Sequence, residues 1–147
     1  MWYDSIWEYK VKDFDTYKSD FQTLADLAYR EFSKDQIEGY FLYVEDDPTV
    51  NLIDITRDHS IINMNSKERE SIERIVAKAF RHGDLAYLSV IRVYKNQVEF
   101  QIENGQYSLI YRKDEHKPKY VNTSLTKGHF RLKKISDHWY HARFVRD

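Results

Sequence analysis

The sequence predicts an α+β fold in which a curved antiparallel sheet packs on a long N-terminal helix and on a second helix. Three observations lead to this prediction. Apolar residues recur at helical spacing over 13–33 and 65–83, several later segments alternate as strands do, and Asn104–Gly105 is a typical hairpin turn. With 147 residues, 41% of them hydrophobic, and 4 Gly and 2 Pro, the chain has the size and composition of one folded domain, residues 1–147.

The first helix is predicted from Asp13 to near Ser33, preceded by a short strand over 5–11. Its apolar side chains repeat every three or four residues, while acidic and polar residues take the opposite side. Asp13 or Asp15 is expected to cap its N-terminus, because a carboxylate there accepts hydrogen bonds from backbone N–H groups. The apolar stripe consists of Phe14, Tyr17, Phe21, Leu24 and Ala28.

A β-hairpin is predicted between the two helices. Residues 40–45 and 50–56 are rich in aromatic and β-branched side chains, which favour strands. The intervening 46–49, Asp-Asp-Pro-Thr, has the composition of a tight turn. A further short strand is expected at 60–64.

The second helix begins after Asn65. Asn65 and Glu68 have the spacing of a capping box, in which each side chain accepts a hydrogen bond from the other residue's backbone N–H. Gly83 is the expected end of the helix, since glycine readily takes the left-handed conformation found there. One side of the helix carries the apolar residues Ile72, Ile75, Val76, Ala79 and Phe80.

Three strands, 86–94, 97–103 and 106–113, are predicted to form a meander. Two-residue loops at Lys95–Asn96 and Asn104–Gly105 determine the register. The expected pairs on the core side are Val93 with Val98, Ile91 with Phe100, Val98 with Tyr111, Phe100 with Leu109, and Ile102 with Tyr107.

A last hairpin is predicted from 129–135 and 139–145, after a loop over 114–128. A three-residue turn at Ser136-Asp137-His138 places Phe130 opposite Phe144 and Leu132 opposite Ala142.

The order of these elements resembles the NTF2-like fold, a cone in which a curved sheet wraps around a long N-terminal helix. The closing segment 134–140, with its turn and its aromatic pair, is similar to the end of such domains. NTF2-like domains serve as enzymes, ligand binders and protein-interaction modules, so the fold alone does not decide function. The resemblance implies a pocket inside the cone, with Tyr17, Phe21, Tyr107, Tyr111 and His141 as candidate lining residues.

The other face of the meander carries a mixture of apolar, aromatic and charged residues. Arg92 and Glu99 are expected to be direct cross-strand partners there. Leu88, Val90 and Ile110 are expected on the same face, which makes homodimerisation through this face a hypothesis. Because the face is not plainly polar, we expect something to cover it.

Charge is distributed unevenly along the chain. Residues 1–73 hold 17 Asp and Glu against 8 Lys and Arg, whereas residues 74–147 hold 7 against 15. Such asymmetry points to charged partners, unless the two halves face each other in the fold. Basic residues alternate with aromatic ones over 107–140, a pattern that suits an acidic protein surface or the phosphates and bases of a nucleic acid.

We therefore predict a non-catalytic binding protein that engages a macromolecule through a charged, aromatic sheet face. The favoured partner is another protein, as for an accessory protein or an immunity-type inhibitor. The residues predicted to contact the partner are Arg92, Tyr94, Arg131, Lys133 and Trp139.

Two alternatives stay open at this point. One is an NTF2-like enzyme or ligand binder that acts on a small molecule inside the cone. The other is single-stranded nucleic-acid binding through residues 107–134, which predicts an affinity that falls steeply with salt. The sequence leaves catalysis undecided and favours a non-catalytic role.

Several kinds of chemistry have no motif in the chain. There is no cysteine, no glycine-rich phosphate loop and no serine nucleophile elbow, and we predict no metal or cofactor. Asp54, Asp58 and His59 form the densest set of metal-ligand types, but their composition is that of a solvated turn. With no secretory signal and no apolar run long enough to cross a membrane, the predicted location is the cytoplasm.

Overall fold

The computed structural model describes residues 11, 13–46, 48–80, 87–102, 107–114, 116–118 and 128–146. Within them lie two helices and seven strands. In chain order these are α1 (Phe14–Phe32), β1 (Tyr40–Glu45), β2 (Asn51–Asp54), α2 (Ser66–Lys78), β3 (Leu88–Tyr94), β4 (Gln97–Ile102), β5 (Tyr107–Arg112), β6 (Gly128–Ser136) and β7 (Trp139–Arg146).

The seven strands form one curved, open sheet, and every neighbouring pair is antiparallel. The order across the sheet is β2-β1-β3-β4-β5-β7-β6. Both helices contribute to the core, so the predicted α+β fold is confirmed. The last two strands lie in the sheet in the opposite order to that in the chain: β7 lies beside β5, and β6 forms the edge of the sheet.

The predicted register of the meander is confirmed. Ile91 lies opposite Phe100 and Phe100 opposite Leu109, as the two-residue loops require. Arg92 also lies opposite Glu99. The turn Asn104–Gly105 itself lies outside the described residues, as do residues 5–10 of the strand predicted over 5–11; Val11 is described and lies in a bend.

Helix α1 packs its apolar stripe against the sheet through an aromatic cluster. The rings of Phe21 and Phe100 meet edge to face at 5.3 Å, and the ring of Trp139 lies 5.3 Å from that of Phe14. Asp13 holds the N-cap position but makes no side-chain capping hydrogen bond, because its backbone is left-handed with φ 50°. The predicted capping by Asp13 is therefore wrong.

Helix α2 begins with the predicted capping box. The Asn65 side chain accepts from the backbone N–H of Glu68 at 2.8 Å, and the Glu68 carboxylate accepts from the backbone N–H of Asn65 at 3.0 Å. The helix ends at Lys78. Its C-cap is Ala79, so the helix ends before Gly83 and the predicted end at Gly83 is wrong; Gly83 itself lies outside the described residues.

The return strand of the first hairpin is shorter than predicted. It ends at Asp54, whose side chain accepts from the backbone N–H of Arg57 at 3.0 Å and so turns the chain back. His59 follows with a left-handed backbone, φ 60°. Residues 60–64 form no strand and contribute a single bridge, between Ile61 and Ile53.

Two irregularities change which residues share a face. The β3–β4 register shifts between Leu88 and Val90, so Leu88 lies opposite Ile102 on the core side. In the last hairpin the register shifts between Lys134 and Ser136, which leaves a two-residue turn at 137–138 instead of the predicted three. The predicted pairs of that hairpin, Phe130 with Phe144 and Leu132 with Ala142, are nevertheless confirmed.

An ion pair between a buried carboxylate and a half-exposed arginine joins the two helices. The Asp20 carboxylate, 5% exposed, accepts from the Ser71 hydroxyl at 2.9 Å and from two nitrogens of Arg74, each at 2.9 Å. The hydrogen bond from Arg74 lowers the pKa of Asp20 below its usual value, against the opposing effect of burial.

This ion pair makes stability dependent on pH. Because the folded-state pKa of Asp20 is lowered, its contribution is present above the ordinary carboxyl pKa and is lost as the pH falls through the folded value. We expect Asp20→Asn to lower the free energy of unfolding by about 1 to 2 kcal/mol at pH 7 and by less near about pH 2.5. Urea denaturation of both proteins at the two pH values measures this, and a difference that does not change with pH would contradict it.

Candidate partner-binding surface

The five residues predicted to contact a partner do not form one surface. Trp139 is 1% exposed and belongs to the core. It lies opposite Tyr111, whose ring is 5.1 Å from its own, on the side of the sheet that faces the helices. The prediction that Trp139 contacts a partner is therefore wrong, because its register on β7 turns the indole inward.

The remaining four residues fall on opposite sides of the sheet. Arg92 and Tyr94 lie on the face away from the helices, which we call the outer face. Arg131 and Lys133 lie opposite Arg143 and His141 and thus share the helix-facing side of the sheet with Trp139. Strands β4, β5 and β7 separate the two pairs.

Much of the outer face is buried over β4, β5 and β7, as the mixed composition predicted. Glu99 is 0% exposed, and its carboxylate accepts from Gln101 Nε2 and from the Ser108 hydroxyl, each at 3.1 Å. Arg112 is held by both carboxylate oxygens of Asp114, at 2.6 and 2.7 Å. The other buried members include Gln97, Ile110, Tyr140, Ala142 and Phe144.

The predicted homodimer face is not present as one surface. Leu88 lies in the core because of the register shift on β3, and Ile110 is 0% exposed. Val90 alone of the three predicted residues is partly exposed on the outer face. These residues therefore cannot together contact a second copy of the chain.

The part of the outer face over β2, β1 and β3 is different, because it exposes large apolar side chains. Tyr43 is 47% exposed and Ile61 is 58% exposed. Tyr43 lies between Ile53 on β2 and Val90 on β3, and Ile61 is bridged to Ile53. We call this surface the outer patch, and it consists of Phe41, Tyr43, Ile53, Ile61 and Val90.

Charged groups border the outer patch on two sides. The Arg92 guanidinium lies 4.5 Å from the centre of the Phe41 ring and donates to the carbonyl oxygen of Gly39 at 3.1 Å. These two contacts hold the Arg92 side chain against the patch, although the residue directly opposite Arg92 on β4 is Glu99. Glu45 and Asp46 are exposed beyond Tyr43 at the other end of β1.

Sequence reasoning missed most of this patch. The alternation over 40–45 predicts that Tyr43 and Phe41 share one face, but it does not say which face meets the helices. Ile61 joins the patch through one backbone bridge that has no sequence motif. Of the predicted contact residues, Arg92 and Tyr94 lie on the same face as the patch.

The five candidate pocket residues pack mainly against one another and against the core. Tyr17 and Phe21 are buried, and the ring of Tyr111 lies against Trp139. The rings of Tyr107 and His141 stack at 6.2 Å. His141 also lines a cleft of about 320 Å³ with residues at the start of α1, including Asp13 and Phe14.

A second, polar cleft of about 630 Å³ lies between the end of α1, the segment after β2 and the start of α2. Its cations have carboxylate partners. Arg30 Nη1 lies 2.6 Å from Glu68, and Arg57 donates to both carboxylate oxygens of Asp35, at 2.8 and 2.9 Å. The pairing with Arg57 lowers the pKa of Asp35.

Asp54 and Arg57, which line this cleft, form a hydrogen-bonded group with the buried Tyr40. The Tyr40 hydroxyl donates to Asp54 at 2.8 Å, and the Arg57 guanidinium lies 4.3 Å from the centre of the Tyr40 ring. Burial, together with the Asp54 hydrogen bond, raises the pKa of Tyr40 well above its usual value. Because the cations and carboxylates of this cleft are paired with one another, we assign the cleft a structural role.

The basic residues of 107–134, the segment predicted to bind nucleic acid, are less available to a ligand than the composition of the segment indicates. Arg112 is buried and paired with Asp114, and the Lys113 ammonium lies 5.1 Å from the centre of the Tyr29 ring. Part of the stretch, 119–127, lies outside the described residues. The exposed cations that remain on a described strand are on β6.

Metal-ligating side chains do not gather in the described part of the chain: no group of three or more His, Asp and Glu there could hold an ion. Asp58, in the predicted solvated turn, is exposed and accepts from the Ser60 hydroxyl and backbone N–H.

No helix among the described residues has the length and apolar character needed to cross a membrane. Comparison with family models, curated proteins and solved structures finds no match to this chain.

Proposed function

We propose that this chain is a non-catalytic binding protein whose partner is another protein, docked on the outer patch. The observation that carries the proposal is the exposure of Tyr43 and Ile61 within one continuous apolar surface. Exposed apolar clusters of this kind, bordered by charged residues, are characteristic of protein-interaction sites.

The chemistry of the outer patch indicates the complementary surface. Its centre would accept apolar side chains, since a tyrosine and three aliphatic residues meet there through register pairs. Arg92 at one border favours an acidic or aromatic group of the partner, while Glu45 and Asp46 favour a basic one. An accessory protein or an immunity-type inhibitor binds its target in this way, without chemistry of its own.

The small-molecule alternative has weaker support. The aromatic cluster between α1 and the sheet occupies the region where the NTF2-like resemblance implies a pocket. The NTF2-like resemblance and the cytoplasmic location both stay predictions.

The test is a matched pair of charge insertions. Ile61→Asp places a carboxylate within the outer patch, whereas Ile37→Asp makes the same change at a residue that is 42% exposed in the loop before β1. Both are expected to fold, since both positions are on the surface. Tagged wild type, Ile61→Asp and Ile37→Asp are used to purify partners from the source cells, with quantitative mass spectrometry as the readout.

We expect wild type and Ile37→Asp to recover one protein in stoichiometric amount and Ile61→Asp to recover at most about one tenth as much. Equal recovery by all three would reject the outer patch as the binding surface. Recovery of nucleic acid instead of a protein would reject the proposed class of partner.

A further inference from the structure

Strand β6 forms one edge of the sheet. It spans nine residues, Gly128–Ser136, and pairs with β7 on one side. In the described ranges of the chain, no strand pairs with its other side. A strand in this position presents backbone N–H and C=O groups to which an extended segment can add.

The side chains of this edge are strongly basic. Its sequence, Gly-His-Phe-Arg-Leu-Lys-Lys-Ile-Ser, contains three Lys and Arg and no acidic residue. Arg131 is exposed and lies directly opposite Arg143, a like charge. Among the residues that the structure describes, no carboxylate lies within ion-pair distance of Arg131. Lys134 has Asp137 at 3.7 Å, with both side chains more than half exposed.

The two sides of this strand differ in chemistry. Arg131 and Lys133 share the helix-facing side, whereas Phe130 and Leu132 lie on the outer face. Leu132 is 38% exposed, and Phe130 packs edge to face on Phe144 at 5.4 Å. A strand added beside β6 would therefore meet Arg131 and Lys133 on the helix-facing side. On the outer face it would meet Phe130 and Leu132, followed by Lys134 at the end of this side.

We propose that this basic edge, residues 129–134, binds an extended segment of another protein in which acidic and apolar residues alternate. The acidic residues would lie beside Arg131 and Lys133, and the apolar ones beside Leu132 and Phe130. Backbone hydrogen bonds to β6 supply the register, and the cations select an acidic sequence. A second copy of β6 does not fit this edge, because pairing two copies would place their Arg and Lys residues together.

This proposal does not depend on the proposed function of the outer patch. The outer patch centres on β1, and β3, β4, β5 and β7 lie between β1 and β6. At the usual strand spacing the two surfaces are about 24 Å apart along the sheet. Either surface can bind its partner when the other is altered, so their experiments fail independently.

The probe is a peptide of about eight residues in which glutamate alternates with valine, long enough to cover the strand. Its binding to the full chain is measured by fluorescence anisotropy, and amide hydrogen exchange is measured by NMR at saturation. We expect alternate backbone amides of β6 to exchange at least about tenfold more slowly when the peptide is bound. The double variant R131E/K133E is expected to weaken binding by about tenfold or more.

Two controls make the result specific to this edge. The variant K67E/K78E makes the same change in net charge at exposed positions on α2 and is expected to bind the peptide like wild type. A peptide with lysine in place of glutamate is expected not to bind. Loss of affinity in both double variants, or binding without protection of β6 amides, would overturn the proposal.

Two other occupants are tested with the same proteins. A deoxythymidine 12-mer that binds more tightly than the acidic peptide and loses affinity in R131E/K133E would overturn the proposal in favour of nucleic acid. If the free chain sediments as a dimer and R131E/K133E sediments as a monomer, the proposal would be overturned in favour of a second copy. A monomer that binds the acidic peptide and not the 12-mer supports it.

Discussion

Replacing Trp139 by alanine is expected to lower the free energy of unfolding by about 3 to 5 kcal/mol. The indole is 1% exposed and contacts the rings of Phe14, Phe21, Phe100 and Tyr111 at centroid distances of 5.1 to 6.2 Å. Its removal leaves a cavity where the first turns of α1 meet the sheet. Because stabilities of domains this size are about 5 to 15 kcal/mol, the loss is a large share of the total.

Urea denaturation followed by circular dichroism measures the Trp139→Ala effect. Tyr43→Ala is the control, because Tyr43 is also aromatic and on a strand but is 47% exposed. We expect that control to cost less than about 1 kcal/mol. Equal effects of the two substitutions would show that Trp139 does not form the core.

Replacing Asp54 by alanine is expected to lower the free energy of unfolding by about 2 to 4 kcal/mol. Asp54 is 3% exposed, and its carboxylate accepts from the Tyr40 hydroxyl and from the backbone and side chain of Arg57. Without it, the Tyr40 hydroxyl loses its acceptor inside the protein, and the turn that ends β2 loses its hydrogen bond. Arg57 retains Asp35, which limits the effect.

Two further substitutions separate these contributions. Tyr40→Phe removes one donor and keeps the ring beneath the Arg57 guanidinium, so we expect a cost of about 1 kcal/mol. Asp26→Ala, at an exposed position on α1, is the control and should change stability by less than about 0.5 kcal/mol. An Asp54→Ala effect as small as that of Asp26→Ala would mean that the Tyr40–Asp54–Arg57 group contributes little to the fold.

The binding surfaces proposed above lie on opposite parts of the sheet and differ in chemistry. The outer patch offers exposed apolar side chains beside Arg92, while the basic edge offers backbone groups and cations on β6. One partner long enough to span about 24 Å, or two partners, could use them. Part of the charge asymmetry of the sequence is compensated inside the fold, as by Asp20 with Arg74, and part lies on the exposed cations of β6.

Sequence reasoning succeeded for the second helix's capping box and for the strand register, where the evidence was local. The capping box of Asn65 and Glu68 depends on atoms within one turn of helix, and its residue types are sufficient to predict it. The β3–β4–β5 register follows from two-residue loops, because a loop of known length leaves one pairing between its flanking residues. The same reasoning predicted the correct residue pairs in the last hairpin. In the structure, these pairs form with a two-residue turn and a register shift near Ile135 instead of the predicted three-residue turn.

Sequence reasoning failed where the answer depends on distant parts of the chain. Alternation along a strand shows that its two sides differ but not which side meets a helix. Trp139 was for this reason assigned to the surface, although its pairing with Tyr111 turns it into the core. Leu88 was assigned to the outer face, because nothing in the local pattern reveals the register shift that follows it.

The sequence by itself determined the α+β class, the approximate extent of both helices and the register of β3, β4 and β5, since propensity, periodicity and turn chemistry act over a few residues. Only the tertiary structure decided that β7 lies beside β5 and leaves β6 at the edge, and that Tyr43, Ile53 and Ile61 meet in one exposed patch. Strand order and burial depend on which distant surfaces pack together. Which surfaces pack together depends in turn on the apolar area that the whole chain can remove from water.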